Sequence, residues 1–237
     1  MTGEAIVFIP GLMADARLFL PQIVQIGASR PVQILILHQG ETVEQMSEAA
    51  LASLPPRFAL VGHGLGGDVA LDLIRRIPDR VTKVVLMATD PLAEAPQAAA
   101  ARESRIVAAR SGRLVEAMLE EIPPQAIAPS DWHADIMALI QDMAVNLGEG
   151  VFVRQTRALQ RRPDQQKTLR KVKLHALVLA GEHDPIVPMR RQEFTANLMP
   201  FGKMQVIDGA GHFASLERPE AVTDAIATFL GGPVLLR

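Results

Sequence analysis

The sequence predicts an α/β fold: a mostly parallel sheet flanked by helices, interrupted by an all-helical insertion. Three observations predict it. Short apolar runs alternate with helical patterns from residue 5 to residue 90. The alternation then stops for roughly 75–80 residues and resumes at Leu174. Hydrophobic residues make up 49% of the 237, enough to cover both faces of a sheet.

The elements follow in order. Ala5–Ile9 is a continuous, β-branched apolar run, as a doubly buried strand requires, and Pro10-Gly11 ends it. Asp15 is placed to cap a helix carrying Leu18, Phe19, Ile23 and Ile26, with Gly27 as its stop. Residues 32–37 read as a second buried strand. Thr42 and Gln45 form a capping-box pattern for a helix to about Ser53, broken by Pro55-Pro56. A strand at 58–61, a Gly-rich turn and a helix at 65–77 come next, the helix stopping at Pro78. A fourth strand spans 81–88. The insertion reads as four helices: 98–110, 113–122, one capped by Ser130 and running to about Asn146, and one set off by Gly150 and running to about Arg161. Strands at 174–180 and 203–207 enclose a helix at 189–198, and Pro219 opens a last helix ending near Leu230.

Composition removes several classes of function. A net charge of -2 suggests neither nucleic acid nor an anionic membrane as partner. Cysteine is absent, so disulfides, thiol nucleophiles and thiolate metal sites are all excluded. No H-x-H or H-E-x-x-H spacing joins the six histidines, so no metal is expected. The first residues carry no basic and apolar leader pattern, and no apolar run approaches a membrane span; a soluble cytoplasmic protein is expected.

The turn Gly62-His63-Gly64-Leu65-Gly66-Gly67 allows two readings. Gly62, Gly64 and Gly67 satisfy the dinucleotide pattern G-x-G-x-x-G, and Asp90, 23 residues beyond Gly67, stands where a ribose-binding acid would. The same turn is a nucleophile elbow, G-x-S-x-G, in all but position 64. Two strands precede it, whereas the dinucleotide turn normally follows the first strand of its unit.

Four motifs then resemble the α/β-hydrolase family with a helical cap. Pro10-Gly11-Leu12 follows the first strand, where that family has its oxyanion loop. Gly62–Gly67 resembles its G-H-S-x-G-G elbow. Gly181-Glu182-His183-Asp184-Pro185-Ile186-Val187-Pro188 resembles its G-x-x-D-x-x-x-P acid turn. Gly209-Ala210-Gly211-His212, ahead of Glu217-Arg218-Pro219-Glu220, resembles its histidine loop. The resemblance implies a core of residues 1–91 and 171–237 and a cap of residues 92–170. It implies His212 as base, Asp184 as acid, the amides of Leu12 and Leu65 as oxyanion donors, and a nucleophile at position 64. It implies a small carboxylic ester or thioester as substrate and no cofactor.

Gly64 departs from the pattern, because glycine offers no attacking hydroxyl. A substituted serine and a natural loss both explain it, and either leaves a site that binds an acyl-type ligand better than it turns one over. Two further functions stay open: a ligand-binding pseudo-hydrolase without catalysis, and a His-Asp lyase-type enzyme that abstracts a proton from its substrate. Asp90 stays open as an alternative acid. His63 is expected to pack or hydrogen-bond beside the turn. Leu114, Met118, Met137, Leu139 and Met143 recur at helical spacing and read as helix-packing core, while Trp132 fits either core or pocket. From Arg154 to Lys173 there are eight basic residues and one acid, read first as a solvated face and second as a contact for an anionic carrier.

Overall fold

The computed structural model describes residues 4–232. Six strands form one sheet, every neighbouring pair parallel: β1 (Ala5–Ile9), β2 (Val32–Ile34), β3 (Phe58–His63), β4 (Val81–Met87), β5 (His175–Gly181) and β6 (Gly202–Ile207). The order across the sheet is β2-β1-β3-β4-β5-β6. The helices are α1 (Leu20–Gly27), α2 (Val43–Ala50), α3 (Leu65–Arg76), α4 (Pro96–Arg110), α5 (Leu114–Glu121), α6 (His133–Leu147), α7 (Glu149–Gln160), α8 (Gln166–Leu169), α9 (Met189–Leu198), α10 (Ala214–Glu217) and α11 (Pro219–Gly231).

Alternate strand residues feed two cores. Ile6, Phe8, Val61, Val85 and Leu177 join one, with Phe19, Ile26 and Ile226. Val7, Ile9, Leu60, Val84 and Val178 join the other, with Met46, Val69 and Leu73. Burial on both faces is why these strands read as continuous apolar runs rather than alternating ones. The sequence order reverses between β1 and β3, so the crevice of the sheet lies at their carboxyl ends.

Five boundaries differ from the sequence reading. Residues 32–37 do not form a full buried strand: only Val32–Ile34 pair, half-buried, because β2 is the sheet edge with a partner on one side. Asp15 caps a 3-10 turn at Ala16–Phe19, and α1 starts beyond it with Pro21 in its first turn. Ser130 does not cap α6; its carbonyl accepts the His133 amide in a turn, and the helix starts there. Gly148, not Gly150, separates α6 from α7, its amide closing the last turn of α6 on the Ala144 carbonyl at 3.0 Å. Thr42 caps α2 through the Gln45 amide at 3.2 Å, but Gln45 Oε1 accepts from the Glu41 amide, and α2 ends three residues early.

Between β4 and β5 the chain runs through α4 to α8. Met118, Met137 and Met143 are buried in the first core, with Leu114 and Leu139 packed against it, so this methionine–leucine set is packing core. Trp132 is 68% exposed and belongs to neither core nor cavity. Among the described residues no single helix is long and apolar enough to cross a membrane.

Candidate active site

β3 passes straight into Gly64, and α3 begins at the next residue. Gly64 has φ 50° and ψ -119°, a backbone that L residues adopt only under strain. Three bonds hold it: its amide donates to the Met87 carbonyl at 2.9 Å, and its carbonyl accepts from the amides of Gly67 at 2.9 Å and Asp68 at 3.2 Å. A Cβ at Gly64 would have the Ala88 carbonyl oxygen, at 3.9 Å, as its nearest neighbour. The turn is packed below and open above. A Cβ at Gly66 would lie 2.0 Å from the Ile9 carbonyl oxygen, so α3 sits against the end of β1 with no room for a side chain.

The loops after β5 and β6 bring Asp184 and His212 together. Asp184 is buried, and His212 Nδ1 lies 3.0 Å and 3.1 Å from its two carboxylate oxygens. The amides of Ile186 (2.9 Å) and Val187 (3.0 Å) donate to Oδ1, and Gln192 Nε2 (3.3 Å) donates to Oδ2. Burial works to raise the Asp184 pKa, but the charge and hydrogen bond of His212, with the two amides, outweigh it and hold the carboxyl below its ordinary value. An ionised carboxylate accepts only, so Nδ1 carries the imidazole proton. Nε2 is left without a bond among the described residues, and His212 lines the cavity above Gly64.

The histidine loop is fixed from several sides. Glu217 accepts the amides of Gly211 (2.7 Å) and Ala128 (2.8 Å) on one oxygen and that of Phe213 (2.9 Å) on the other. The His212 amide donates to the Ala126 carbonyl at 2.7 Å. His63 Nε2 donates to the His212 carbonyl at 2.9 Å, and its ring stacks on Phe213 at 5.3 Å. Burial first, and the neighbouring His212 second, push the His63 pKa down to about 3. A neutral ring keeps an N–H for that carbonyl, and His63 does the bonding expected beside the turn.

The amides of Leu12 and Leu65 have no partner among the described residues, and both residues line the cavity. Their loop is held from an unexpected direction. Met13, with φ 50°, donates its amide to Gln155 Oε1 at 2.7 Å, and Gln155 Nε2 donates to the Leu37 carbonyl at 2.7 Å. Gln155 is fully buried on α7. A glutamine in a helical pattern carries no local mark of its partner, whether that partner is more than a hundred residues away, as for Gln155, or eight, as for Gln192.

The cavity measures about 80 Å³, and Arg102, Glu121, Ile122, Leu159 and Arg162 complete it. Arg102 pairs with Glu121 at 2.6 Å and Glu94 at 3.0 Å. Asp90 also reaches the cavity wall, but its partners are the Leu92 amide (3.1 Å) and, more loosely, Arg162 and Arg191 (3.8 Å each). The structure pairs His212 with Asp184, not with Asp90. In the basic stretch, Arg154 donates to the His38 carbonyl at 3.0 Å and Arg157 pairs with Glu41 at 2.9 Å, tying α7 to the loop after β2. Lys167, Arg170, Lys171 and Lys173 instead line a separate groove with Arg75. Among the described residues no cluster of His, Asp and Glu could hold a metal ion.

The His212–Asp184 pair and the Gly64 turn lie on a parallel sheet, and similarity to known proteins defines the class. The model of the Alpha/beta hydrolase family matches residues 6–225. The chain belongs to the alpha/beta hydrolase family and is a hydrolase-type enzyme. It is similar to the pimeloyl-[acyl-carrier protein] methyl ester esterase of Aromatoleum aromaticum, 27% identical over 77% of each chain. It is similar, at 24% identity over 72% of this chain and 61% of the other, to 2-hydroxymuconate semialdehyde hydrolase of a Pseudomonas species. Among solved structures it superposes on a thermophilic esterase from Thermogutta terrifontis with a TM-score of 0.87, at 25% identity, covering 97% of this chain and 90% of that one. The enol-lactonase of Burkholderia xenovorans shares the fold, with a TM-score of 0.83 at 21% identity, over 98% and 93% of the two chains.

Proposed function

We propose that this protein acts on a small carboxylic ester through a Ser-His-Asp-type site whose nucleophile position is Gly64. One observation carries the reading: His212, bonded to the buried Asp184 at 3.0 Å, lines the same cavity as Gly64, Leu12 and Leu65. In this reading Asp184 orients the imidazole, and His212 takes a proton from the attacking oxygen and returns it to the leaving alcohol. The amides of Leu12 and Leu65 receive the developing oxyanion; a lost donor of this kind costs about 3–4 kcal/mol. The esterase names of the relatives favour an ester over a thioester. Residues 92–170 act as a cap over the core of residues 1–91 and 171–237, and supply the apolar wall of Ile122 and Leu159. The small cavity favours a short acyl group, and the protein works in the cytoplasm.

The Gly64→Ser variant tests this. It is expected to hydrolyse short-chain p-nitrophenyl esters, and to lose that activity again with His212→Ala. A serine variant silent across a panel of short-chain esters overturns the reading.

A further inference from the structure

We infer that the protein with Gly64 is itself an esterase in which a water molecule, seated over Gly64 and deprotonated by His212, attacks the ester carbon directly without an acyl-enzyme. This rests on the ester-hydrolase reading of the site and supplies the nucleophile that reading lacks.

The elbow has the room, and two acceptors without a partner among the described residues line the same cavity. The space over the Gly64 Cα is open, with nothing nearer to a Cβ position than the Ala88 carbonyl oxygen at 3.9 Å. A held water needs about two to four polar partners. One is His212 Nε2, an acceptor because Nδ1 carries the proton toward Asp184. The other is the Ala88 carbonyl. Ala88 has φ 48°, a left-handed conformation uncommon outside glycine, and its carbonyl accepts no hydrogen bond among the described residues. Both partners are acceptors, so each takes one water hydrogen. The oxygen lone pair is left for the substrate. Ala88, His212 and the two oxyanion amides line one cavity, so the water and the ester carbonyl meet there.

The step balances with the groups present. The water O–H bond breaks as its proton passes to His212 Nε2, and the oxygen forms a bond to the ester carbon. The carbonyl electron pair moves onto the oxygen facing the Leu12 and Leu65 amides. On collapse that pair re-forms the C=O bond and the ester C–O bond breaks. The leaving alkoxide takes the proton from His212, giving a carboxylic acid, an alcohol and a neutral imidazole.

The experiment compares p-nitrophenyl acetate hydrolysis by four proteins: the Gly64 protein, Gly64→Ala, His212→Ala and Gly64→Ser. The Gly64 protein is expected to turn over steadily with no burst and with an unmodified mass after quenching. It should exceed His212→Ala by about 10²-fold, the ordinary gain from general-base catalysis. Gly64→Ala is expected to lose tenfold or more, because its methyl group crowds the open space beneath the water and offers no nucleophile. Gly64→Ser should show a burst and an acyl adduct. Equal rates for the Gly64 protein and Gly64→Ala, or for the Gly64 protein and His212→Ala, overturn the water mechanism and leave the site reading standing on the serine variant. So does an acyl adduct on the Gly64 protein. A silent serine variant overturns the site reading, and the water mechanism with it. Should Gly64→Ala not fold, the burst, the quenched mass and the His212→Ala rate decide.

Discussion

The two halves of the candidate site have kept different things. The elbow side, at the end of β3, has its backbone in place but no reactive side chain: Gly64 holds φ 50° and an open space above it. The side built from the loops after β5 and β6 has its side chains in place, with Asp184 meeting two amides, Gln192 and His212. The difference shows what fixes each half. Elbow geometry comes from close backbone packing, Gly66 on Ile9 above all. The acid–base half depends on its side chains for its geometry, since buried polar groups there hold one another.

The sharpest test separates the two carboxylates near the site. In the Gly64→Ser background, Asp184→Asn should lower kcat by about 10⁴-fold, as expected when the imidazole loses its orienting charge. Asp90→Asn, whose carboxylate faces Arg162 and Arg191, should stay within about threefold, since it has no bond to the histidine. Steady-state kinetics on both variants checks this, and reversed effects would move the acid to Asp90.

The elbow side should break through its backbone. Gly66→Ala places a Cβ where the Ile9 carbonyl oxygen is 2.0 Å away, and rigid backbone cannot yield as a side-chain end can. We expect a loss of about 3 kcal/mol or more in urea unfolding. A variant as stable as the parent would show that the α3–β1 contact is slack.

The acid–base side should break through Glu217. Glu217→Gln turns an amide NH₂ toward backbone N–H donors now bonded to a carboxylate, leaving at least one donor unpaired. The expected cost is about 2 kcal/mol in stability. In the serine background, displacement of His212 should lower kcat by about 10–100-fold with little change in KM. Equal kcat in both proteins would mean that the loop is held without the clamp.

The smallest effect returns to the elbow side. Asp68, in the first turn of α3, is buried with Oδ1 unpartnered, and burial is the main cause that pushes its pKa up to about 7; Arg162 works against it and Asp90 adds to it. The fold favours the neutral form, so this stabilisation is full below the unfolded carboxylate value near 3.8 and is lost as pH rises through 7. Between pH 5 and 7 the decline from this group is about 2 kcal/mol. Asp68→Asn should flatten that decline in chemical-denaturation curves taken across the range. An unchanged slope would show that Asp68 is ionised in the fold.

Much of this was legible along the chain. Four of the six strands follow from apolar runs, because burial on both faces leaves no alternation to confuse; a fifth, β6, is an edge strand buried only at Ile207. The sixth, at residues 32–37, was read too long: an apolar run reports burial, while strand length at an edge depends on how far β1 continues beside it. The placing of Ser130 and Gly150 failed for a related reason. Several small or polar residues near a helix end can cap or break it, and packing against α5 and the core selects among them.

The sequence by itself determined the order of the motifs and the chemistry each position can offer: a base at 212, a carboxylate at 184, no hydroxyl at 64. Those are properties of side chains, present before any folding. Only the tertiary structure decided which groups meet. It selected Asp184 over Asp90 at His212, brought Gln155 to the Met13 amide across 142 residues, and closed Glu217 around the histidine loop. Such pairings follow from the sheet order and from the need of buried polar atoms for partners. Neither has a local trace in the sequence.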